Sequence, residues 1–93
     1  MKRHRVEWTR RALRDLDEIH AYVAADDPGI AARVARTILV AADNLSLMPA
    51  RGRPGRAAGT RELILSGWPW MIVYRIAGDR VQVLAVRHGA RER

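Results

Sequence analysis

Residues 51–76, RGRPGRAAGTRELILSGWPWMIVYRI, constrain this chain more than any other stretch. A glycine- and arginine-rich loop leads into two apolar runs, Glu62–Leu65 and Trp70–Ile76, separated by the turn signal Ser66-Gly67. That order predicts a basic loop feeding a β-hairpin. An isolated hairpin is marginal in water and needs cover on one face.

The upstream half reads as that cover. A first strand is expected over His4–Trp8. Thr9 then offers an N-cap for a helix to about Ala25, in which Ala12, Leu16, Ile19 and Val23 recur on one stripe. Asp26-Asp27-Pro28 stops this helix and starts another, with an aspartate cap and proline at the first helical position. The second helix is predicted from Pro28 to about Leu47. Its face of Ala31, Val34, Ala35, Ile38, Ala42 and Leu45 is rich in alanine, so a neighbour approaches closely. The short link makes the two an antiparallel αα-hairpin. Val40 falls opposite this stripe, beside Arg33, Arg36 and Asn44, as a surface residue or part of a partner-binding surface.

Downstream, Ala50–Gly59 holds three glycines and a proline and is expected to be irregular. Strands follow over Thr60–Leu65, Pro69–Ile76 and Arg80–His88, the last two joined by a Gly78-Asp79 turn. The expectation is one α+β domain spanning 1–93, in the order β-α-α-β-β-β. Its antiparallel sheet carries the αα-hairpin on one face. Alternation assigns Trp70, Ile72, Tyr74 and Ile76 to the helix side and Met71, Val73 and Arg75 to the open face. In the last strand Val83, Ala85 and Arg87 alternate with Leu84, Val86 and His88, and Arg87 is expected to join Arg75.

Charge singles out the same region. The net charge is +7, and residues 51–93 contribute nine arginines against three acids, or +6. Arginine's planar fork suits bidentate contact with phosphate or carboxylate, which points to an anionic partner. With no cysteine, disulfides and thiolate chemistry are excluded. No apolar run approaches the roughly 18 to 20 residues of a membrane span, and no signal-peptide pattern is present, so the cytoplasm is the expected compartment.

Common catalytic signatures are missing. The glycines at 52, 55 and 59 precede a strand rather than a helix, which excludes nucleotide-loop mechanics. Ser46 and Ser66 lack the setting of a nucleophilic elbow. His4, His20 and His88 have no metal-ligand spacing, and neither metal nor cofactor is expected. What remains is a basic surface of Arg53, Arg56, Arg61, Arg75, Arg87 and Arg91. Metal-free RNA cleavage on such a surface would use Glu62 or His88 as base, with Arg61, Arg75, Arg87 and Arg91 on the phosphate. The plainer reading pairs Glu62 with a neighbouring arginine and lets His88 cap the sheet edge.

The pattern V-x-W-T-x-x-A-L-x-D-L-x-x-I, the Asp-Pro restart, G-R-P-G-R-x-x-G-T-R-E-L, Y-R-I and the closing R-H-G-A-R resembles the RelE/ParE superfamily of type II toxin–antitoxin toxins. The resemblance runs along nearly the whole chain. It implies a growth-inhibiting, plasmid-stabilising toxin held inactive by a co-encoded antitoxin that wraps it. Two activities occur in the superfamily: RelE-like members cut mRNA on the ribosome, and ParE-like members poison DNA gyrase. RelE-like enzymes carry a basic residue near the start of the third strand, where this chain has Met71. Arg91 matches a RelE-like arginine position, leaving Glu62, His88 and Arg91 as the nuclease set. The incomplete set favours the gyrase-directed activity, with the ribosome and mRNA as the alternative target. A basic nucleic-acid-binding module is a further alternative.

Overall fold

The computed structural model describes residues 3–89. Strand β1 (Arg5–Trp8) leads into helices α1 (Arg10–Ala24) and α2 (Pro28–Asn44). A 3-10 turn (Pro49–Arg51) follows, then strands β2 (Arg53–Pro54), β3 (Arg61–Ile64), β4 (Trp70–Ala77) and β5 (Arg80–His88). Both helix starts use the expected caps. Thr9 Oγ1 accepts from Ala12 N–H at 3.1 Å, and Asp27 Oδ1 accepts from Ile30 N–H at 3.0 Å. Helix α2 ends at Asn44, before the expected Leu47, because Leu45–Leu47 tighten into turns.

The five strands form one sheet in the order β1-β5-β4-β3-β2. The sheet is mixed rather than wholly antiparallel, since β1 runs parallel to β5. Strands β2 to β5 are joined through turns and loops that reverse the chain, which makes each neighbouring pair antiparallel. β1 reaches the others only through the two helices and is free of that constraint. The loop expected to be irregular also contains order, in the 3-10 turn and the two residues of β2 paired with Glu62 and Arg61.

The helices cover one face of this sheet. Ala12, Val34, Ile38, Ala42 and Leu45 meet Leu63, Leu65, Ile72, Tyr74, Val81, Val83 and Val86 in a single buried cluster. Burying side chains such as Ile38 or Leu45 contributes about 1.5–3 kcal/mol each. Val83 was expected on the open face, and its burial is explained by a register shift. Tyr74 pairs with Val83 while Val73 pairs with Ala85, so Leu84 is an extra residue in β5. This bulge flips the alternation, bringing both Val83 and Val86 to the helix side. Ala85 and Arg87 keep their places on the open face, opposite Val73 and Met71.

Candidate functional site

The open face is built row by row from the strand register. Arg53, Glu62, Val73 and Ala85 form one row across β2 to β5, and Glu7, Gln82 and Arg75 form another. Arg87 lies opposite Met71 at one end, with its Nε buried and without a hydrogen-bond partner. Arg75 Nε donates to Gln82 Oε1 at 2.6 Å, which holds an exposed guanidinium in place. Arg80 approaches Glu7 at 3.5 Å. An apolar strip is thereby flanked by oriented arginines.

Among the described residues Glu62 is the one buried charge, only 6% exposed. Arg53 donates to its Oε1 from Nε at 3.2 Å and Nη2 at 3.1 Å, and Arg56 N–H donates to Oε2 at 3.4 Å. Both carboxylate oxygens are thus occupied in fastening the basic loop to the sheet. The pairing of Glu62 with a neighbouring arginine is what the structure contains, through Arg53.

The structure does not bring the sequence-derived set together. Arg61 pairs in register with Tyr74 and so belongs to the helix side, away from Arg75 and Arg87. Its Nη1 donates to Gly52 O at 2.7 Å and Ala50 O at 3.2 Å, making it a clamp on the preceding turn. His88 pairs with Trp70, also on the helix side, and lines a cleft of about 380 Å³ with Asp15, Ile19 and Tyr22 of α1. Glu62 and His88 therefore sit on opposite faces of the sheet. Arg91 lies outside the described residues. Among the described residues, no three His, Cys, Asp or Glu side chains gather as a metal site would require.

Tyr74 entered the sequence reading only as a helix-side strand residue and as part of the Y-R-I pattern, yet it sets the loop. It is fully buried, its hydroxyl donates to Pro49 O at 2.6 Å, and it accepts from Gly52 N–H at 2.8 Å. A Cβ on residue 52 would lie 2.7 Å from that hydroxyl, so glycine is required for the close approach. The available signal was a phenol following the apolar run Met71–Val73, since a buried Tyr O–H usually has a partner.

A family model described as the ParE toxin of the type II toxin–antitoxin system parDE matches residues 6–93. This chain belongs to that family. Y4kP of Sinorhizobium fredii is 54% identical over 88 residues, covering 95% of this chain and 91% of that protein. Toxin RelE2 of Caulobacter vibrioides is 41% identical over 86 residues, covering 92% and 96%. Among solved structures, the chromosomal ParDE system from P. aeruginosa superposes with a TM-score of 0.83 at 31% identity, covering 91% of this chain and 95% of that one. The RelBE2 toxin–antitoxin complex from Mycobacterium tuberculosis gives 0.64 at 30% identity, covering 95% and 93%. The α+β fold is thus that of RelE/ParE toxins, and the chain is a toxin of a type II toxin–antitoxin module.

Proposed function

We propose that this toxin is a ParE-like inhibitor of DNA gyrase, acting in the cytoplasm and neutralised by a co-encoded antitoxin. Its target contacts are made by Arg53, Arg75 and Arg87 of the open face, together with Arg56 of the basic loop and Arg91. The observation that carries this reading is the division of the titratable residues. Glu62 is buried and tied to Arg53 and the Arg56 amide, while His88, although it lines a cleft with Arg87, pairs with Trp70 on the helix side, so the two candidate bases are held apart. A general base has to reach the proton it removes. Met71, 5% exposed on the open face, adds no charge where RelE-like enzymes have a basic residue.

The deciding experiment sets gyrase supercoiling against mRNA cleavage on programmed ribosomes, using purified wild type. Inhibition of supercoiling without cleavage is expected, with Arg75→Ala and Arg87→Ala each weakening it and His88→Ala having a small effect. A second reading, ribosome-dependent mRNA cleavage, is favoured by the RelE name of the Caulobacter relatives. Codon-dependent cleavage by wild type would establish it in place of the first. Removing the base, through Glu62→Ala or His88→Ala, would then lower the rate by about 10² to 10⁴ with the fold intact.

A further inference from the structure

We propose that the cleft between α1 and the C-terminal end of β5 binds a free aromatic α-amino acid, its carboxylate held by Arg87 and His88 and its ammonium by Glu18. Such a site does not depend on which cellular target the toxin has.

The first observation is a set of unspent nitrogens on one wall. α1 covers the outer edge of β5 only as far as Val86, whose N–H donates to Asp15 Oδ2. Gly89 N–H donates to Pro69 O, toward β4. Alternation therefore turns the His88 N–H outward, like that of Val86, and no acceptor for it is present among the described residues. β1 ends at Trp8, opposite Val83, so side chains from both faces of β5 reach this edge. Arg87 and His88 both line the cleft, and Arg87 Nε and His88 Nδ1 are buried without a partner. Buried polar groups are nearly always hydrogen-bonded. Two N–H groups and an imidazole nitrogen on consecutive residues suit the two oxygens of a carboxylate.

Charge on the facing wall is the second. Asp15 is committed to the Val86 N–H and lies 3.6 Å from Arg11 Nε. Glu18 also lines the cleft, and neither it nor Arg87 has an ion pair among the described residues. One carboxylate and one guanidinium are thus left uncompensated around the same space. Glu18 would repel a polyphosphate, and Arg87 would repel a simple cation. A zwitterion matches both.

Size and surface supply the third. The cleft's volume of about 380 Å³ lies low in the roughly 300–1,000 Å³ range of small-molecule sites. Ile19, Trp70 and the largely exposed Tyr22 form its apolar surface. Two aromatic rings among so few walls favour an aromatic side chain on the ligand.

The test titrates the whole chain with phenylalanine at neutral pH, followed by NMR. Controls are phenylalaninamide, which lacks the carboxylate, N-acetylphenylalanine, which lacks the ammonium, and alanine, which lacks the ring. Saturable shifts are expected at the His88 amide and the Arg87 Nε–H, with each control binding at least about tenfold more weakly. Glu18→Gln, an exposed change whose fold is checked by thermal melting, should weaken phenylalanine about tenfold and leave N-acetylphenylalanine unaffected. No saturable binding, equal binding of the amide or the acetylated form, an unchanged phenylalanine affinity in Glu18→Gln, or shifts that bypass residues 86–88 would each overturn the proposal.

Discussion

The two flanks of the sheet are finished in different ways. Beyond the end of β1, the outer edge of β5 is closed by the chain's own first helix. Thr9 N–H donates to Val83 O at 3.0 Å, Thr9 Oγ1 donates to Leu84 O at 3.1 Å, and Asp15 Oδ2 accepts from Val86 N–H at 3.0 Å. At the other flank, Pro54 and the two-residue length of β2 blunt that strand, but nothing comparable reaches Ile64. A helix required by the core lies along β5 and lends it side chains. The β3 flank borders a loop whose hydrogen bonds are directed inward, to Tyr74 and Glu62.

The largest effect should come from breaking that inward commitment. Tyr74→Phe leaves the Gly52 N–H and the Pro49 C=O without their partner, at roughly 1–3 kcal/mol for each buried group stranded. Urea denaturation should show a lower midpoint with little change in slope, and exchange at the Gly52 amide should quicken. At the closed flank, Asp15→Ala strands one backbone N–H and should cost about 1–3 kcal/mol. A loss below the resolution of the denaturation curve would mean that water replaces the aspartate. Glu62→Gln should cost about 1–2 kcal/mol, because Arg53 is mostly in solvent and is not stranded by the change. Thermal unfolding measures it, and limited proteolysis should find the 53–60 loop more accessible. The smallest effect belongs to the open flank, where Val40→Ser should stay within about 0.5 kcal/mol. A larger loss would show that Val40 already supports the fold and would erase the contrast between the flanks.

What the sequence made legible follows from which interactions are local. The caps Thr9 and Asp27, the helix stripes and the turns at Ser66-Gly67 and Gly78-Asp79 depend on neighbours within a few residues, and all could be read. The parallel pairing of β1 could not be, because it depends on how the helices return the chain. The Leu84 bulge was hidden for a similar reason: a run such as Val-Gln-Val-Leu-Ala-Val fits either alternation, and only pairing with β4 decides. At the site, the basic loop and the open-face placement of Arg75 and Arg87 were legible from composition and period. Arg61 was misplaced because a basic side chain at a strand end was counted with the charge, whereas backbone carbonyls of the adjoining turn claim it. Glu62 was paired with an arginine as the plainer reading held, but the partner came from a strand too short to leave a periodic trace.

Thr9 also sets a timetable. Its hydroxyl caps α1 at one end of the described fold and binds Leu84 at the other, across 75 positions. At translation speeds of about 5–20 residues per second, residue 84 is made roughly 4 to 15 seconds after Thr9. Until then β1 has no strand to lie beside, and β4 lacks its neighbour across Arg75. The arginine face is therefore a late product of synthesis, assembled when the N-terminal segment meets β5. A nascent chain spends that interval with its helix pair able to form and its arginine face not yet assembled.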